Sequence, residues 1–206
     1  MPRVTANARL EARRRLLEAA ARFFARDGLE RANVDAIAIA AGYAKGTFYN
    51  YFDSKERIFG EVIAEGARRA VARYAEVRDR GGARQRLMAL AAADVTVLRE
   101  EEDFYKVVVR EAMSFRRETY PLIVERLAPY LQKITAVLSD GVTAGEIRND
   151  RPVAVLALIF IGMLALLYIQ HWGSGGTWPA LDDVPELVVG SFLDGAAVHK
   201  RKRRMA

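Results

Sequence analysis

An all-α fold is predicted from three features of the sequence. Apolar residues recur at intervals of three and four through most of the chain, no segment reads as a convincing strand, and glycines and prolines interrupt the periodic stretches at helix length. With 51% hydrophobic and 28% charged residues over 206 positions, the chain can bury a sizeable core and is expected to be ordered almost throughout.

Leu10, Leu16, Leu17, Ala20, Phe23 and Phe24 share helical spacing, and Gly28 stands where a left-handed residue would end that first helix. In "NVDAIAIAAG", Asn33 is placed to cap a two-turn helix with Val34, Ile37 and Ala38 facing inward, and Gly42 breaks it. A third helix is expected from near Ala44 to Asp53. Asp53 and Glu56 then have the reciprocal capping spacing for a fourth helix reaching about Asp79. After the glycine loop at 80–82, longer helices are predicted at about 83–100, 103–116, 122–144, 153–172 and 183–198, with Asp150 as a cap and Pro152 in the first turn of the fourth of these. The 17 uncharged residues Val153–Ile169 are at the lower limit for crossing a bilayer. Their polar flanks and the absence of a second such segment favour burial between helices or across a dimer interface, so no membrane association is expected. Trp178, in the loop "GSGGTWPALDD", is expected to pack on something.

Composition excludes several kinds of function. No cysteine is present, which removes disulfides, thiol catalysis and thiolate metal sites and suits a reducing cytoplasm, where the protein is expected to reside. The opening residues lack the apolar run of a secretory signal. His171 and His199 are the two histidines, and neither a glycine-rich phosphate loop nor a Gly-x-Ser-x-Gly elbow occurs, so no enzyme activity, metal or cofactor is expected. The net charge is +6, distributed as +4 over 1–60, −3 over 61–199 and +5 in the tail "KRKRR". Positive charge therefore gathers at the two ends, and an anionic partner is expected there.

Residues 33–56 carry the most specific pattern. Two short helices joined by a glycine-containing turn form a helix-turn-helix, whose second helix enters the major groove. Gly42 permits the turn, and Gly46 would let the backbone approach DNA. Phe48 and Phe52, four residues apart, can anchor the second helix. Lys45, Thr47, Tyr49, Asn50 and Tyr51 remain as donors and apolar edges for phosphates and bases. Asn33 and Lys55 are natural phosphate clamps, the first beside the free amides of a helix start. Arg3 and Arg9 could form a minor-groove arm, although nothing in their spacing demands it.

The stretch from Arg15 to Val62, above all Ala41-Gly42, Ala44, Lys45-Gly46-Thr47, Phe48, Tyr49, Phe52 and Ser54-Lys55-Glu56, resembles the N-terminal DNA-binding domain of the TetR family of bacterial transcriptional regulators. The resemblance implies DNA contacts at Asn33, Tyr43, Ala44, Lys45, Gly46, Thr47, Tyr49, Asn50, Tyr51 and Lys55. Asn33 stands where threonine is common and Tyr43 where valine is common; the phosphate role of the first should survive, while the second bears on base preference. The resemblance also implies a helix-turn-helix domain over 8–58 and a helical effector-binding and dimerising domain over 59–199, and the charge count sets off a basic tail at 200–206. Its partners would be a double-stranded DNA operator, a small-molecule effector and a second copy of the chain joined through helices near 153–172 and 183–198. Phe104, Tyr105, Met113, Phe115, Tyr120, Phe160, Met163, Tyr168, His171 and Trp172 are candidates to line an effector pocket, or else plain core. The expected function is that of a repressor released from a palindromic operator by a small hydrophobic effector. The alternative is a non-specific architectural DNA-binding protein using both basic ends.

Overall fold

The computed structural model describes residues 6–114 and 116–195; Phe115, His199, Arg3 and the basic tail at 200–206 lie outside them. Nine helices and no strand occur among the described residues: α1 (Ala6–Arg31), α2 (Val34–Ala40), α3 (Lys45–Tyr49), α4 (Lys55–Glu76), α5 (Ala83–Glu100), α6 (Glu102–Met113), α7 (Tyr120–Thr143), α8 (Val153–Gly173) and α9 (Val184–Asp194). They form two compact units, one of residues 1–76 with 96–130 and one of 77–95 with 131–206. α5 and α7 each contribute to both.

In the first unit, the apolar faces of α1, α4 and α6 enclose a core that includes Leu16, Phe24, Ile58, Phe59, Phe104 and Val107. Phe24 meets Phe59 edge-on, with centroids 4.9 Å apart. Each fully buried side chain of this size contributes about 1.5–3 kcal/mol. Gly66 of α4 faces α6 so closely that a Cβ there would lie 3.0 Å from Val108 Cγ2 and 3.2 Å from Phe104 O. Gly28 has φ +76° as expected, but a final helical turn follows it, so α1 is broken there and then continues to Arg31.

Several boundaries differ from the sequence expectation: α4, α6 and α9 end at Glu76, Met113 and Asp194, short of the expected 79, 116 and 198, and three others turn on a single residue. α3 stops at Tyr49, and Asn50 to Phe52 form a turn whose amides return to Thr47 O and Phe48 O. α4 begins one residue later than the Asp53–Glu56 spacing suggested: Ser54 Oγ accepts from Arg57 N at 3.1 Å and is the cap. A hydrogen bond from its own backbone amide, followed by one from the Ser54 hydroxyl, holds the Glu56 carboxyl below its usual range. Asp150 does not cap α8. Its carboxylate accepts from Arg148 at 2.5 Å, leaving Pro152 at the cap position.

In the second unit, α8 and α9 pack together, with Phe160 edge-on to Phe192 at 5.4 Å and Val184, Val188 and Val189 buried. One side of α8 is covered and another is not. Val155, Leu158, Ile159, Leu166 and Ile169 are exposed, and only 33% of the most apolar stretch of the helix is buried. α8 is the one described helix long and apolar enough to cross a membrane by length and composition. The tryptophan expected to pack is instead 58% exposed.

Candidate nucleic-acid interface

The helix-turn-helix is built by local bonds. Asn33 Oδ1 accepts from Asp35 N at 2.7 Å and Ala36 N at 3.3 Å, satisfying amides that the start of α2 would leave free. Gly42 adopts φ +84°, and Tyr43 N donates to Ala38 O at 2.9 Å, closing the turn. A side chain at Gly42 would meet no atom within 4 Å, so its requirement is conformational.

Phe48 is fully buried and Phe52 nearly so, with centroids 5.7 Å apart. Around them Ala44, Lys45, Gly46, Tyr49 and Asn50 are exposed and Thr47 is half-buried. The two remaining tyrosines divide differently from the expectation that Tyr49 and Tyr51 both project outward. Tyr49 is 47% exposed, whereas Tyr51 and Tyr43 are half-buried against the core. The cause is helical geometry continued through the turn: at 100° per residue Tyr51 falls within about 60° of Phe48, on the anchoring side, while Tyr49 lies about 100° away.

Two lysines expected at phosphates already have protein partners. Lys45 Nζ lies 2.9 Å from an Asp35 carboxylate oxygen, which holds the ammonium above its usual range. Lys55 Nζ donates to Glu30 O at 3.0 Å and Ala32 O at 3.4 Å, tying the start of α4 to the end of α1 and to the residues just before the Asn33 cap. An ammonium has three hydrogens, so Lys55 keeps one for a further acceptor. Arg110 of α6 donates to Phe24 O, four residues before the break in α1 at Gly28, at 3.1 Å, and Arg116 pairs with Glu30 at 3.2 Å.

The effector candidates are dispersed. In the first unit, Phe104 and Tyr105 are buried and Met113 and Tyr120 exposed. In the second, Phe160 is core, Met163 lines a cleft, and Trp172 packs near Tyr168 with centroids 6.3 Å apart. His171 Nδ1 lies 2.8 Å from Pro179 O, where it fastens the loop after α8. Tyr168 is buried and donates to Asp94 at 2.8 Å. Sequence reasoning missed Asp94, which is 1% exposed; the signal was a lone carboxylate inside the apolar run "LAAADVTVL" of α5. Among the described residues no group of three acidic or histidine side chains could hold a metal ion.

Comparison with known proteins agrees with this architecture. Residues 16–62 match the family model described as bacterial regulatory proteins, tetR family, and residues 80–180 match the tetracyclin repressor-like C-terminal domain. The chain is 30% identical over 189 residues to the HTH-type transcriptional repressor KstR2 of Rhodococcus jostii, covering 90% of this chain and 91% of that protein. It is 26% identical over 150 residues to the fatty acid metabolism regulator protein of Bacillus subtilis, covering 72% and 77%. Among solved structures, FadR from Bacillus subtilis in complex with stearoyl-CoA superposes with a TM-score of 0.77 at 24% identity, over 90% of this chain and 99% of that one. AibR in complex with isovaleryl coenzyme A and operator DNA gives 0.76 at 22%, over 88% and 98%. The capped α2, the glycine turn and the exposed face of α3 are thus those of a transcriptional regulator, and the chain belongs to the TetR family.

Proposed function

We propose that this protein is a cytoplasmic homodimeric repressor that binds a palindromic operator through two copies of α2–α3 and is released by an acyl-coenzyme A thioester. The observation that carries the DNA-binding reading is the division around α3: Phe48 and Phe52 are spent on the core, Lys45, Gly46, Tyr49 and Asn50 are left facing outward, and Thr47 is half-buried between them. Asn33, Tyr43, Ala44, Tyr51 and Lys55 complete the contact set, Tyr43 and Tyr51 through whatever edge their packing leaves free. The uncovered apolar faces of α8 and α9 supply the surface for the second copy. The thioester class is supported by the ligands named in the two similar structures and by the fatty acid regulator among the relatives. Tyr168, His171 and Trp172, near one end of α8 in the second unit, remain its candidate lining. An effector acts only through its different affinity for the DNA-bound and released states.

The architectural alternative has less support. Arg14 and Arg15 are paired with Glu11 and Glu18, and Arg13 with Glu61, so the basic run of α1 is largely neutralised within the chain. Selection from a random duplex pool tests the reading. An inverted repeat should emerge, bound far more tightly than a scrambled duplex across a salt titration, and long-chain acyl-CoA should release it while coenzyme A alone should not. Equal binding to both duplexes would refute sequence-specific regulation; a specific complex indifferent to every acyl-CoA would refute the effector class alone.

A further inference from the structure

We propose that Asp35 of α2 is a specificity-determining residue of the reading head. It holds Lys45 of α3 in a neutral pair, so that Lys45 offers a hydrogen to a base-edge acceptor, O6 or N7 of a guanine, and adds nothing to the hold on phosphates. This rests on the DNA-binding reading above and gives a role to a side chain outside its contact set.

The two side chains meet from different helices. Asp35 stands in the first turn of α2, its amide fastened to the Asn33 cap at 2.7 Å, and Lys45 is the first residue of α3. Lys45 Nζ lies 2.9 Å from Asp35 Oδ1 and donates to Oδ2 at 3.2 Å, so both carboxylate oxygens face one ammonium. Oδ1 is shielded from solvent, which leaves the ammonium to compensate its charge. As whole side chains Lys45 and Asp35 stay 58% and 50% exposed, and Tyr49, one helical turn on from Lys45, is exposed as well.

In water such a pair is weak. Against a duplex it is not, because water is excluded and the alternative neighbours are phosphates: an Asp35 carboxylate stripped of its cation would face like charge. The pair therefore docks as a unit of zero net charge and releases no counterion. Two carboxylate oxygens engage at most two of the three ammonium hydrogens, which leaves one for an outside acceptor. The N-terminal residues of a recognition helix are those that meet base edges, and guanine presents two acceptors in the major groove. A cytosine in that place presents a donor amino group instead, so the ammonium gains nothing there while the Asp35 carboxylate still opposes the phosphates.

Lys55 supplies the contrast. Its ammonium bonds to the Glu30 and Ala32 carbonyls, which bear no net charge, and so keeps a full positive charge for a phosphate. The two lysines of the motif are thereby divided: Lys45 reads and Lys55 clamps.

Anisotropy titrations of the full chain against the selected duplex and a scramble, over about 50–200 mM salt, test the assignment. Lys45→Met should leave the salt slope where it is and cost at least about fivefold in preference at one base pair of each half-site. Lys55→Met should lower the slope by about 0.9 per subunit, which is about 3.5-fold in affinity over that salt range, and keep the preference. Asp35→Asn should steepen the slope by a similar amount and narrow the gap between selected and scrambled duplex, and it should do neither in a chain that already carries Lys45→Met. Lys45→Met changes only the surface, so it decides the question even if Asp35→Asn fails to fold. A Lys45→Met slope that falls as the Lys55→Met slope does, or an Asp35→Asn gain that persists without Lys45, overturns the assignment and leaves sequence-specific regulation standing. A pool from which no preferred duplex emerges overturns both.

Discussion

Replacing Phe48 by alanine should separate the stability of the reading head from its chemistry. α3 has five residues, too few to persist by its own hydrogen bonds, so its position depends on the side chains that fasten it. Phe48 is 0% exposed and lies 5.3 Å from the Tyr49 ring and 5.7 Å from Phe52. Truncating a buried phenylalanine costs about 3–5 kcal/mol, a large share of the roughly 5–15 kcal/mol that holds a domain. At about 2–4 °C per kcal/mol for a chain of this size, Phe48→Ala should melt about 6–20 °C below the parent. Tyr49→Ala, one residue away and 47% exposed, should melt within about 2 °C of the parent. Its loss should appear in the preference for the selected duplex over a scramble, measured by fluorescence anisotropy well below either melting temperature. If Tyr49→Ala proved as destabilising as Phe48→Ala, or Phe48→Ala melted with the parent, the division of α3 into an anchoring and a reading side would be wrong.

Asn33→Ala removes the acceptor for two α2 amides and should lower stability by about 1 kcal/mol, with Asn33→Ser largely restoring it in denaturant titrations. Tyr168→Phe leaves the buried Asp94 carboxylate short of a donor and should cost about 1–3 kcal/mol in the same assay. The Arg68 and Arg69 guanidiniums hold the Glu65 carboxyl at about 2 against an ordinary 4.5. A depressed folded-state value means stability that is complete above pH 4.5 and is lost as pH falls toward 2, so Glu65→Gln should flatten acid melting profiles between those limits. Lys55→Met should weaken binding to all duplexes and speed amide exchange at residues 28–36, because its ammonium fastens the corner between α1 and α2.

The helical pattern was readable because it is a repeated signal: each amphipathic stretch offers several apolar positions, and a misread one changes little. Caps are single-residue events, so Ser54 rather than Asp53 and Pro152 rather than Asp150 had to be decided by backbone geometry. Within the reading head the anchoring phenylalanines followed from spacing. Tyr51 could have been placed by the same spacing, had its angle from Phe48 been weighed above its chemical likeness to Tyr49. The effector candidates were the least legible. Aromatic and methionine residues look alike in sequence whether they fill a core, as Phe160 does, or stand exposed, as Tyr120 does. What separates them is contact with residues distant in the chain, which periodicity does not encode.

The first unit is assembled from two pieces of chain separated by about twenty residues that belong elsewhere. Phe104, Val107 and Ile123 sit in the same core as Leu16, Phe24 and Phe48. On the ribosome, the helix-turn-helix therefore emerges well before the residues that close its core, and the nascent head must wait for α6 and the start of α7 with the Gly66 side of α4 uncovered. A fragment ending at Glu76, the natural cut for an isolated headpiece, would inherit that unfinished state permanently. The segment that reads DNA is thus made first and completed late, which couples the birth of a binding-competent head to translation through residue 123.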